Sequence, residues 1–131
     1  MRNKYDTPCC PLCKSEGCAL VFKDEKRHYW RCSHCDLIYV PSQFWLSAEE
    51  EKATYDLHSN SPKDEGYRHF LSRLSRPLIE RLPPKQKGLD FGCGPGPTLS
   101  VIFEEHGHQM DLYDPFYFDR PSVFSNNYDF I

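Results

Sequence analysis

Two CxxC pairs, Cys10 with Cys13 and Cys32 with Cys35, constrain what this chain can fold into more than any other feature. Four soft thiolates at this spacing complete a tetrahedral shell around one ion, each tight knuckle presenting two sulfurs. Eighteen residues separate the pairs, within the range of structural zinc sites. A shell filled by four protein ligands has no open position for water, so the site is structural. Metal binding then becomes folding free energy for a segment with little core of its own. Cys9 rivals Cys10, and His34 or His28 can replace a thiolate, but only Cys10 keeps the two-residue spacing to Cys13. Cys18 reads as a spare thiol in a turn. The odd total of seven cysteines, without an apolar leader after Met1, fits reduced thiolates on metal better than disulfides.

Around the cysteines, Leu20 to Lys23, His28 to Arg31 and Leu37 to Val40 read as short strands, the pattern of a zinc ribbon over residues 1–42. Residues 43–84 read as a helical linker or cap. Ser47 with Glu50 makes a capping box for one helix, and a second is expected to open at Ser61 with Pro62 at its first position and Asp64 in its first turn. The recurrence of Tyr67, Phe70, Leu71, Leu74, Leu78 and Leu82 at threes and fours predicts that this face is buried. Pro77 is placed to kink the helix, and Pro83 with Pro84 to end it.

From residue 85 the period changes. Lys87 to Phe91 reads as a strand, a glycine loop follows, Thr98 to Gly107 reads as a helix with its stop, and His108 to Tyr113 as a second strand ending at Asp114. Strand, glycine loop, helix, strand, acid is the opening of a Rossmann-like parallel sheet. The expected fold class is therefore α/β: a small N-terminal zinc ribbon, then helices, then the first half of a Rossmann-like sheet over 85–131. Residues 119–127 read as loop, and Tyr128 to Ile131 as the start of a further strand. The glycines stand as GxGxG at 92, 94 and 96, whereas a dinucleotide fingerprint needs its third glycine at Pro97, so NAD is disfavoured.

The segment Leu89-Asp90-Phe91-Gly92-Cys93-Gly94-Pro95-Gly96 resembles motif I of the class I S-adenosylmethionine-dependent methyltransferases. The layout as a whole resembles bacterial methyltransferase-domain proteins with an N-terminal zinc ribbon, in which a segment like YDLHSNSPKDEGYRHFLSRLSRPL precedes the glycine loop. The resemblance implies that Gly92, Gly94 and Gly96 cradle the methionine end of S-adenosylmethionine, that Asp90 orders it, and that Asp114 binds the ribose hydroxyls. It implies a seven-stranded domain of which this stretch holds two strands and a stub, hence a C-terminally truncated one. Weak cofactor binding or none is then expected of the chain alone. Both strands are expected to show open edges, which invite self-association. Tyr55, His58 and Tyr67 read as residues that pack or cap the helices, with a role covering the cofactor as the alternative, and His69, His106 and His108 as ordinary packing or surface residues.

A net charge of −3 gives no global basic field, so nucleic acid is disfavoured as a partner. The alternative of an RNA methyltransferase would draw on Arg68, Arg73, Arg76, Arg81, Lys85 and Lys87 as a basic flank. A third reading makes the chain a non-catalytic interaction module. The leading expectation is a methyltransferase acting on a small-molecule or carrier-bound acceptor. No apolar run reaches the roughly 20 residues of a membrane span, and the expected location is the cytoplasm. No residue stands out as a general base.

Overall fold

The computed structural model describes residues 8–131. The chain divides into two compact units, Met1–Ser47 and Ala48–Ile131.

The first unit is an antiparallel sheet of β1 (Cys18–Lys23), β2 (His28–Cys32) and β3 (Ile38–Tyr39), in that order. Asp24 shapes the β1–β2 turn, its carboxylate accepting the Lys26 and Arg27 N–H groups at 2.8 and 2.6 Å and the Tyr29 hydroxyl at 2.9 Å. Cys18 begins β1, directly opposite Cys32, so the turn expected at Cys18 is instead strand, paired across the sheet with a cysteine of the second knuckle. Leu20 and Phe22 are largely exposed, and among the described residues of this unit the fully buried side chains are Cys10 and Cys32. A sheet this thin buries too little apolar surface to stand alone, which puts the stabilising load on the cysteine cluster.

The second unit opens with α1 (Ala48–Asp56), whose first turn carries Glu49, Glu50 and Glu51 where the helix dipole favours negative charge. Helix α2 (Glu65–Ile79) starts later than Ser61. Asp64 is its cap, not a first-turn residue, because its side chain accepts the Tyr67 N–H at 3.0 Å. Ser61 to Asp64 form a separate turn closed by Asp64 N–H to the Ser61 carbonyl. Pro77 lies inside α2 without ending it, and the helix stops at Ile79, ahead of the proline pair.

The buried face of α2 also differs from expectation: Ser75 is the buried residue, while Phe70 and Leu74 are mostly exposed. Tyr67, Leu71, Leu78 and Leu82 are partly covered.

Strand β4 (Lys87–Phe91) and strand β5 (Gln109–Tyr113) run parallel in register from Lys87–Gln109 to Phe91–Tyr113, joined by α3 (Thr98–Glu105). Gly107 closes α3 with φ of 85°, donating its N–H to the Glu104 carbonyl. Phe103, Ile102, Leu89 and Val123 are buried in the core. His108 is buried there too and accepts the Gln86 N–H on Nδ1 at 3.2 Å, a packing role as expected.

Two expectations for the C-terminal end are corrected. Residues Pro121–Ser125 form a 3₁₀ turn rather than plain loop. The far edge of β4 is not bare: Phe130 bridges Gly88 in parallel, with Leu89 N–H to the Phe130 carbonyl at 3.1 Å and Asp129 N–H to the Lys87 carbonyl at 2.8 Å. The Phe130 ring packs where a side chain at position 88 would stand, which is why glycine is there. Among the described residues, no helix is long and apolar enough to cross a membrane.

Candidate functional site

The two candidate sites lie one in each unit. In the first, the knuckles repeat each other. Lys14 N–H bonds the Cys10 carbonyl and Asp36 N–H the Cys32 carbonyl, both at 3.0 Å. Lys14 and Asp36 sit at φ of 61° and 60°, the left-handed turn that folds each loop back. Cys10 N–H and Cys32 N–H then bond the carbonyls of Ser15 and Leu37, at 2.9 Å each.

This geometry gathers the Sγ atoms of Cys10, Cys13, Cys32 and Cys35 within 4.8 Å of one another. Cys10 and Cys35 are 3.6 Å apart, and Cys13 and Cys32 3.5 Å. A tetrahedron with metal–sulfur bonds of about 2.3 Å has edges of about 3.8 Å. The four sulfurs can therefore hold one metal ion.

Ser15, which the spacing argument missed, places its hydroxyl 3.1 Å from both Cys13 and Cys32. Together with the Cys35 and His34 N–H groups it draws the Cys32 thiol down to about 5. Cys35 gains from the Leu37 N–H, yet burial and the neighbouring thiols push it up to about 12. Four thiolates side by side cannot all ionise without a cation among them. Cys9 is exposed and stands outside the cluster. Of the histidine rivals, His28 packs its ring on Phe44 at 4.9 Å and His34 contributes its backbone N–H to Cys32.

In the second unit the glycine loop follows β4 and meets the end of β5. Gly92 and Cys93 donate their N–H groups to the Tyr113 carbonyl at 2.8 and 3.2 Å. Gly94 N–H bonds Asp114 Oδ2 at 3.0 Å. Gly92 and Gly94 take φ of 79° and 66°, and the space a side chain would fill at each is empty. Backbone left open on that side can be approached closely by a ligand.

Gly96 is different. A side chain there would collide with the Asn60 carbonyl, so this glycine makes room for the protein's own backbone. Asn60 was invisible to sequence reasoning, since a backbone carbonyl carries no residue-type signal.

Asp114 is buried to 7% exposure, and its Oδ1 also accepts the Phe116 and Tyr117 N–H groups at 2.8 and 3.2 Å. A carboxylate offers about four acceptor directions; three are used, which leaves one for a ligand hydroxyl. Asp90, on β4, is raised above the usual carboxylate range by burial and by the Asp114 charge, against a hydrogen bond from the Ser100 backbone. Burial and the same two acids push the Cys93 thiol up to about 11. The loop is thus a small acidic mouth with two open glycines, a fit for a ligand carrying positive charge and a hydroxyl group.

Three of the six residues of the proposed basic flank sit beside acids. Arg68 pairs with Glu105, Lys87 with Asp111 at 2.9 Å, and Arg76 lies 3.9 Å from Glu80.

A family model described as a methyltransferase domain matches residues 63–131. The match takes in the glycine loop, both parallel strands and Asp114. No curated protein and no solved structure matches the chain. The family match extends over more than half of the residues and contains the whole loop-and-acid arrangement, so the chain belongs to the methyltransferase-domain family.

Proposed function

We propose that the second unit holds S-adenosylmethionine and serves methyl transfer to a small-molecule or carrier-bound acceptor, and that the first unit is a zinc ribbon. The observation that carries the reading is the pairing of two open, positive-φ glycines with an acid that reaches back to Gly94. The cofactor supplies a methyl group already activated on a sulfonium, so the protein's task is alignment and exclusion of water rather than covalent help.

In this reading Gly92 and Gly94 lie along the methionine portion. Asp90 would order that portion through hydrogen bonds, and the remaining acceptor direction of Asp114 would take a ribose hydroxyl. Gly96 seats Asn60 beside them. Zinc is favoured for the cysteine cluster because a closed four-thiolate shell suits an ion without redox chemistry or geometric demands. Reduced thiolates of this kind also support a cytoplasmic location. The pairing of Arg68, Lys87 and Arg76 with acids weakens the case for an RNA substrate.

Asp114→Ala should remove one charge-assisted hydrogen bond, worth roughly 1.5–3 kcal/mol, and weaken S-adenosylhomocysteine binding about tenfold or more in calorimetry. Unchanged affinity would exclude the ribose role.

A further inference from the structure

Residues 52–60, the end of α1 and the connector after it, lie against several parts of the glycine-loop site. The Tyr55 ring packs on Phe116 with centroids 6.5 Å apart and meets His58 edge-on at 5.9 Å. Asp56 accepts the Tyr117 hydroxyl at 2.6 Å. Lys52 pairs with Asp56 at 2.8 Å and lies 4.9 Å over the Tyr117 ring. Asn60 fills the space in front of Gly96. The Asp114 carboxylate that bonds Gly94 also shapes the turn carrying Phe116 and Tyr117.

Helix α1 has no buried residue, so apolar packing does not explain why this segment sits on the loop. The Asp56–Tyr117 bond, braced by Lys52, is the clasp that does. The Tyr55 ring stays 41% exposed and packs on Phe116, whose N–H bonds the Asp114 carboxylate. An aromatic face held there by polar contacts suits a flat heterocycle.

We propose that residues 55–60 form a wall of the cofactor site, with the Tyr55 and His58 rings against the adenosyl group, and that Asp56 and Tyr117 are its positioning residues. This takes up the cofactor-covering alternative to helix packing for Tyr55 and His58, and it rests on the cofactor assignment made above.

The test is nuclear magnetic resonance of the chain titrated with S-adenosylhomocysteine to millimolar concentration, where weak binding remains visible. Amide shifts at Gly92 to Gly94 report the cofactor assignment. Intermolecular Overhauser contacts from adenine or ribose protons to the Tyr55 or His58 ring report the wall, and a merely structural role would not produce them. Tyr117→Phe should weaken binding by about three- to tenfold through loss of one hydrogen bond to a charged group, Asp56→Asn should weaken it less because the amide oxygen still accepts but without the charge, and Asp56→Glu should stay close to the unaltered chain. Glycine shifts without ring contacts, or with unchanged affinity in Tyr117→Phe, would overturn the wall and leave the cofactor assignment standing. No shift anywhere at millimolar ligand would overturn both.

Discussion

Gly94 and Gly96 are the same residue answering two different demands. At Gly94 the backbone needs a positive φ of 66° and faces empty space, while at Gly96 the neighbouring Asn60 carbonyl leaves no room for a side chain. Gly96→Ala should therefore lower the melting temperature of the second unit, at a cost of about 1–3 kcal/mol for overpacking. A variant that melts with the unaltered chain would mean the connector yields freely. The GxGxG spacing revealed a tight strand-to-helix loop but not which glycine faces open space, because sequence shows a missing side chain without showing what occupies its place. The four clustered cysteines were legible for the opposite reason: a CxxC turn fixes its own geometry, and two such turns can share one ion. Ser15 and the single free direction on Asp114 depend on partners supplied by folding.

At the level of elements, β4 and α3 were legible from their period and flanking glycines, and β5 to within a residue. Helix α2 was misread at its start and on its face. Pro62 suggested a first turn, but the Asp64 carboxylate captures the Tyr67 N–H and sets the boundary there. The apolar period was present, yet the unit buries the side with Ser75, and Phe70 and Leu74 stay outside. The paired strands and the C-terminal segment are tied together by Asp111, which bonds Lys87 at 2.9 Å and Tyr128 at 2.8 Å. Lys87, then Tyr128 and Asn126, hold the Asp111 carboxyl below the usual range. A carboxyl lowered on folding stabilises above its unfolded pKa and loses that contribution as pH falls through its folded one, here below about 4. Asp111→Asn should thus melt lower than the unaltered chain at pH 7, with the gap narrowing steadily as pH falls below about 4. A gap that does not narrow with falling pH would rule out the charge as its source.

For the molecule as a whole, the order of ribbon, helices and parallel strands could be written from sequence alone. That Phe130 returns to β4 could not, because strand order depends on contacts far apart in the chain. The division into two units gives a clean spectroscopic test. Both tryptophans, Trp30 and Trp45, belong to the first unit, and helices α1 to α3 all belong to the second. Chelation, or Cys32→Ser, should shift tryptophan emission toward that of the unfolded chain while the helical circular dichroism persists. Loss of both signals together would contradict separate cores, and retention of one metal per chain in Cys32→Ser would contradict the ligand set. The central claim is that the glycine loop and Asp114 form the cofactor site. A crystal structure of the chain with S-adenosylhomocysteine tests it most directly. The account predicts the homocysteine portion along Gly92 to Gly94 and a ribose hydroxyl in hydrogen-bond contact with Asp114; a ligand bound elsewhere, or a ribose remote from Asp114, would contradict it.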